Sequence, residues 1–225
     1  MKISDLFWET WTTPYTTIGD GVDYAFKEEG QTLYIFFQGS TQKVDWLQNF
    51  NFPKKPYRDM DIQYRVHSGF LKCWKQVQDI IINKITEWDE DDNYKYNRII
   101  VSGYSHGGAL AQFCHECIWY HRPDIRDNCW SYGFEAPRIY GGYSVKPELR
   151  ERWAHFMLIR NHQDIVTHCP PHFLGFCDLG TVVHIGRDQH YKGWDPIMSH
   201  YPENVRDSLR EIDFNIINSK GESNE

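Results

Sequence analysis

The chain is expected to fold as an α/β protein with a mostly parallel central sheet and helices on both faces, and three observations carry that expectation. Short runs such as Thr32-Leu33-Tyr34-Ile35-Phe36-Phe37 and Ile99-Ile100-Val101 are almost continuously apolar, as in strands covered on both sides. Strands of this kind alternate along the chain with longer helical patterns. One of them, Arg98 to Val101, passes through Ser102-Gly103-Tyr104-Ser105-His106-Gly107-Gly108 straight into a helix with Ala109, Leu110, Phe113, Cys117 and Ile118 on one face.

Taken in order, Val22 to Lys27 alternates like a strand with one wet face and pairs with Thr32 to Phe37 as an antiparallel hairpin. From Thr41 to Tyr64 the chain reads as irregular, with Pro53 and Pro56. Trp46, Leu47, Phe50 and Phe52 within it suggest an acyl-binding cover, or else a loop tucked onto the core. Tyr64 to His67 is a short strand, and Ser68 can cap a helix reaching about Trp88 with Val77, Ile81 and Ile85 on one face. Cys129 to Phe134 is the next strand, a short helix spans about Lys146 to Trp153, and His155 to Arg160 and Thr181 to Ile185 are further strands. A last helix runs from about Tyr201 to Ile212. With no repeat or linker, 225 residues fit one domain, 1–225, whose polar stretch 218–225 is expected to fray.

Composition excludes several classes of function. A net charge of −7 with scattered Lys and Arg gives a phosphate backbone no basic stripe, so nucleic acid is not an expected partner. No apolar run is long enough to span a membrane. Acids stand where Met1 to Glu9 would be apolar in an export signal, which points to the cytoplasm and to reduced thiols in all six cysteines. Cys114-His115-Glu116-Cys117 has zinc-like ligands, but they lie inside a helix without a second ligand pair, so no metal and no cofactor is expected.

The chemistry centres on Gly103-x-Ser105-x-Gly107. A strand that turns at once into a helix brings the chain close to itself, so a Cβ on either side of the serine would clash. The turn sets Ser105 at a helix N-terminus, where free N–H groups favour developing negative charge. The alternative is a glycine-rich turn that only packs. A serine nucleophile needs a base, itself held by an acid, and in hydrolases with this elbow the chain order is Ser, acid, His. Asp164 follows a buried strand and is better anchored than Asp178, Asp188 or Asp195. His168, His172 and His190 satisfy the order, and His200, on the loop entering the last helix, is the strongest candidate. Gln38-Gly39-Ser40-Thr41 could offer backbone N–H groups and a hydroxyl nearby.

These residues resemble the class 3 lipases, the branch of the α/β-hydrolases related to fungal triacylglycerol lipases. Phe37-Gln38-Gly39-Ser40 is similar to the family's oxyanion loop, and Asp45-Trp46-Leu47 to the segment where fungal members carry a lid. Val66-His67-Ser68-Gly69-Phe70, the elbow Gly103 to Leu110, Ala136-Pro137-Arg138, and Asn161-x-x-Asp164-Ile165-Val166 followed by Pro170-Pro171 match further blocks in the family's order. The resemblance implies an α/β-hydrolase fold and a serine carboxylic-ester hydrolase working on acyl esters or lipids, with transient contact to lipid surfaces. Ser105 would be nucleophile, Asp164 the orienting acid and His200 the base, with His190 in reserve. The N–H groups of Ser40 and His106 would form the oxyanion hole. Gln38, Tyr104 and His106 depart from the residues usual at their positions. A silent site on the same fold, or acyl transfer to an acceptor other than water, are the alternatives, and contact between His200 and Ser105 favours catalysis over silence.

Overall fold

A computed structural model describes residues 1–39 and 53–216. Its main sheet has seven strands: β1 (Thr16–Ile18), β2 (Val22–Glu29), β3 (Thr32–Phe37), β6 (Arg98–Tyr104), β7 (Cys129–Phe134), β9 (Phe156–Asn161) and β10 (Thr181–Ile185), adjacent in that order. The β1, β2 and β3 contacts are antiparallel and all later ones parallel. A smaller antiparallel sheet joins β4 (Lys54–Tyr57), β5 (Tyr64–His67) and β8 (Tyr140–Gly141).

The apolar runs are continuous because both faces of the main sheet are covered. Along β3, Leu33, Ile35 and Phe37 enter one core while Tyr34 and Phe36 enter the other. On β6, Ile99 and Val101 face one way and Ile100 and Tyr104 the other. One face receives α2 (Ser68–Ile85) and α3 (His106–His121), the other α1 (Ile3–Thr12) and α6 (Pro202–Ile212). Two short helices, α4 (Pro147–Arg150) and α5 (Asp195–Met198), complete the regular helices among the described residues. Every residue of α3 from Gly107 to Ile118 is buried, not only one face, so Cys114 and Cys117 are packed core groups rather than a presented ligand pair.

The expected strands and the long helices are present, three local readings change and one helix is added. Residues 54–57 pair with β5 instead of running irregularly; Pro56 is accommodated because β4 is an edge strand. The cap of α2 is His67, not Ser68: its Nδ1 accepts the N–H groups of Gly69 and Phe70 at 3.2 and 3.3 Å. The helix expected over residues 146–153 is the single turn α4. The first residues form α1, with Ile3, Leu6, Phe7 and Thr10 buried at helical spacing. The stretch 218–225 lies outside the described residues.

Three side-chain contacts tie these elements together. Thr10 Oγ1 and Ser102 Oγ, 2.6 Å apart, join α1 to β6. The buried His115 of α3 has Nδ1 2.8 Å from Ser131 Oγ on β7 and Nε2 2.7 Å from the Arg152 carbonyl. Burial lowers the His115 imidazole to about 4. The unfolded chain therefore takes up that proton first as pH falls below 6.5, and His115 costs the fold stability on acidification. The penalty of His115→Gln, measured as a shift in urea midpoint, should be largest near pH 7 and shrink steadily toward pH 4. A pH-independent penalty would contradict a neutral buried His115.

The tightest backbone approach lies at the end of β6. A Cβ on Gly103 would stand 2.1 Å from the Gly107 carbonyl oxygen, and one on Gly107 2.1 Å from the Phe37 carbonyl oxygen. Neither neighbour can turn aside, because both are backbone. Gly103→Ala should cost about 3 kcal/mol or more, lowering Tm by about 6 °C or more in a domain of this size. An unchanged Tm would show that the turn can open.

Candidate active site

Ser105 sits between β6 and α3 with φ 54° and ψ −119°, a conformation rare outside glycine. The neighbouring strand end holds it there: the Ser105 N–H donates to the Phe134 carbonyl at 2.8 Å, and the Ser105 carbonyl accepts Gly108 N–H at 2.9 Å. The hydroxyl is therefore presented beyond the carboxyl end of the parallel strands, where open α/β sheets bind ligands.

Asp164 follows β9 and is 1% exposed. Its Oδ1 accepts the Val166 N–H at 2.9 Å, which leaves Oδ2 to face His200 Nδ1 at 2.7 Å. On the other side of the ring, His200 Nε2 lies 2.9 Å from Ser105 Oγ. Since a carboxylate only accepts, Nδ1 carries the imidazole proton and Nε2 is free to accept the serine proton. The structure thus brings together Ser105, Asp164 and His200, which are far apart in sequence.

The loops carrying the acid and the histidine are pinned from several directions. Arg138 donates from Nη1 to the carbonyls of His168 and Pro170 and from Nε to Asp178, fixing the segment after Asp164. Asn161 Nδ2 donates to the Ser199 carbonyl at 2.9 Å, just before His200. Several of the other candidates meet other groups. Asp178 pairs with Arg138 and Arg160. Asp195 lies 3.7 Å from His162 Nε2, and the His190 ring is 6.1 Å from the His162 ring. His168 Nδ1 is 3.0 Å from the Asp164 carbonyl oxygen, and His172 Nε2 is 3.2 Å from that of Tyr143.

His106 opens α3, so its backbone N–H belongs to the first turn, whose amides lack acceptors within the helix. Its half-buried ring lies 5.6 Å from that of Phe70, and burial lowers the imidazole to about 4, keeping it uncharged. Ser40 and the suggested cover residues Trp46, Leu47, Phe50 and Phe52 lie outside the described residues.

Two residues at the site were missed by the sequence reading. Tyr104 stacks on His200 with ring centroids 5.2 Å apart and planes at 24°, and its hydroxyl donates to the His200 carbonyl. Only its departure from the usual family residue signalled it. Glu135, fully buried at φ 50° after β7, presents a carboxyl oxygen within 4.8 Å of both Asp164 and His200 ligand atoms. Among the described residues these three form the one cluster that could hold a metal ion. A cation there would compete with the contacts His200 already makes.

The family model for lipase (class 3) matches residues 34–174. A lipase of Rhizomucor miehei is 28% identical over 155 residues, covering 67% of this chain and 40% of the relative. A secreted mono- and diacylglycerol lipase of Fusarium solani is 24% identical over 162 residues, covering 72% of this chain and 46% of the relative. Its secretion runs against the cytoplasmic expectation. The match thus spans less than half the length of these curated relatives. A solved triacylglycerol lipase described as having a serine protease triad as its catalytic centre shares the fold, with a TM-score of 0.63 at 24% identity over 76% of this chain and 65% of that one. With the family model covering most of its length and the α/β-hydrolase sheet in place, this chain belongs to the class 3 lipases.

Proposed function

We propose that this protein is a serine carboxylic-ester hydrolase acting on acyl esters of lipids, with Ser105 as nucleophile, His200 as base and Asp164 as orienting acid. The observation that carries the reading is the unbroken line from Ser105 Oγ to His200 Nε2 at 2.9 Å and from His200 Nδ1 to Asp164 Oδ2 at 2.7 Å. In the first half-reaction Ser105 Oγ attacks the ester carbonyl while its proton passes to His200 Nε2. The negative charge on the carbonyl oxygen is met by the His106 N–H and, in this reading, that of Ser40. Collapse breaks the bond to the alcohol, which leaves with the proton from His200. Water then repeats the sequence on the acyl-serine and releases the acid.

Lipid character is supported by the rim of the site. Ile165 directly follows Asp164 in the chain, Trp194, Ile197 and Tyr201 lie within six residues of His200, and all four are exposed. The Ile165 N–H donates to the Pro196 carbonyl at 3.1 Å, which holds the two rim segments together. Exposed apolar residues on the segments that carry the acid and the histidine suit an acyl chain or a lipid surface. The secreted relative favours work outside the cell over the cytoplasmic placement.

A fluorophosphonate probe should label Ser105, as mapped by mass spectrometry, and labelling should vanish in Ser105→Ala and His200→Ala. Ser105→Ala should lower kcat on p-nitrophenyl butyrate by about 10⁶-fold. Labelling elsewhere, or activity that survives in Ser105→Ala, would refute the assignment. Across a series of p-nitrophenyl esters, kcat/KM should rise from acetyl to octanoyl by up to about fourfold for each methylene buried, from about 0.8 kcal/mol per group. Preference for acetyl would count against an acyl-binding rim.

A further inference from the structure

Glu135 is a second buried acid beside Asp164, and its surroundings define its protonation state. It is 0% exposed. Oε1 accepts the Asn161 N–H at 2.8 Å, whereas Oε2 meets no hydrogen-bond donor among the described residues. A buried carboxylate oxygen without a donor is costly, but a carboxylic acid O–H at that position is itself a donor and needs only an acceptor. The Asp164 carboxylate is the acceptor at hand, since Glu135, Asp164 and His200 each place an atom within 4.8 Å of the others.

Resting on the triad proposed above, we propose that Glu135 is a positioning residue: it stays protonated at neutral pH and donates its O–H to the Asp164 carboxylate, steadying Asp164 against His200.

The neighbours on every packed element fit this arrangement. Burial and the adjacent Asp164 charge push the Glu135 carboxyl well above the usual carboxylate range. The Asn161 N–H and Arg160, both on β9, act in the opposite direction but more weakly than burial and Asp164, and Arg160 also pairs with Asp178. Tyr104 on β6 is held uncharged by burial and by the acids near it. His200 completes the set. Asp164 has room for the extra donor, because each carboxylate oxygen accepts more than one hydrogen bond. Neutrality also has a catalytic consequence. Two negative charges beside the imidazole would hold it in its protonated form, unable to accept the Ser105 proton. A neutral Glu135 leaves one charge, enough to stabilise the imidazolium formed during the reaction.

The test uses p-nitrophenyl butyrate with wild type, Glu135→Met and Glu135→Gln, with rates divided by the fraction of enzyme labelled by fluorophosphonate. Glu135→Met removes the donor at similar volume and should lower kcat by up to about 10²-fold, with little change in KM. Glu135→Gln keeps a donor, the amide N–H, and should recover most of that loss without moving the acid limb of the pH–rate profile. The infrared difference spectrum, wild type minus Glu135→Gln at pH 7, should show a protonated-carboxyl C=O band, a readout that does not depend on how well Glu135→Met folds. Wild-type kcat in Glu135→Met would make Glu135 merely structural. Equal loss in Glu135→Gln, an acid limb moved about one unit lower in that variant, or absence of the carboxyl band would each overturn the proposal. If wild type is not labelled at Ser105, the triad reading fails and the role of Glu135 falls with it; labelled wild type with any of the other adverse results overturns Glu135 alone.

Discussion

The turn at Ser105 is the constraint on which the rest of the structure depends. Its φ of 54° and ψ of −119° are unfavourable for a residue with a side chain, by about 1–3 kcal/mol. They persist because β6 and α3 are both buried and cannot move apart. That packing in turn demands bare backbone on either side of the serine, since Gly103 meets Gly107 and Gly107 meets the end of β3. The two neighbouring strands contribute as well. Gly108 approaches Ala136 beyond β7, where an added Cβ would lie 2.6 Å from the alanine methyl. The elbow is thus a property of three adjacent strands and one helix, although its pattern spans only a few residues.

That distribution explains what could be read from the sequence. Strands β3 and β6 were legible because both of their faces are covered, leaving an apolar run that solvent-facing structure would not produce. The elbow was legible because its steric demand falls on glycine, a residue type visible in the sequence. His200 was harder to single out, since imidazoles at 168, 172 and 190 satisfy the same chain order and only three-dimensional proximity separates them. Helix α1 is harder to read because its buried stripe is short and includes the polar Ser4 and Thr10. Strand β4 was hidden by Pro56, whose meaning depends on whether the strand lies at an edge. Glu135 could not be read at all, because a glutamate carries no mark of its burial until its neighbours are known.

The electrostatics of the site follow a similar logic of compensation. Asp164 is stripped of water and receives the Val166 N–H and the His200 ring in exchange. Around it, Arg138 and Arg160 converge on Asp178, so the segment carrying the acid is fixed by an ion-pair network that does not touch His200. Tyr104 restrains the same histidine through ring stacking and through its carbonyl. The imidazole is thereby positioned by contacts on its edge, its face and its backbone, while Nε2 remains directed at the serine.

The two ends of the described chain are clasped together. Ile3 N–H donates to the Phe214 carbonyl at 3.0 Å, Ile216 N–H to the Met1 carbonyl at 3.1 Å, and the Asp213 carboxylate accepts the Ser4 N–H at the start of α1. Helix α6, which begins just after His200, packs on the same face as α1. Loosening that clasp would therefore act on the segment that carries His200 as well as on α1.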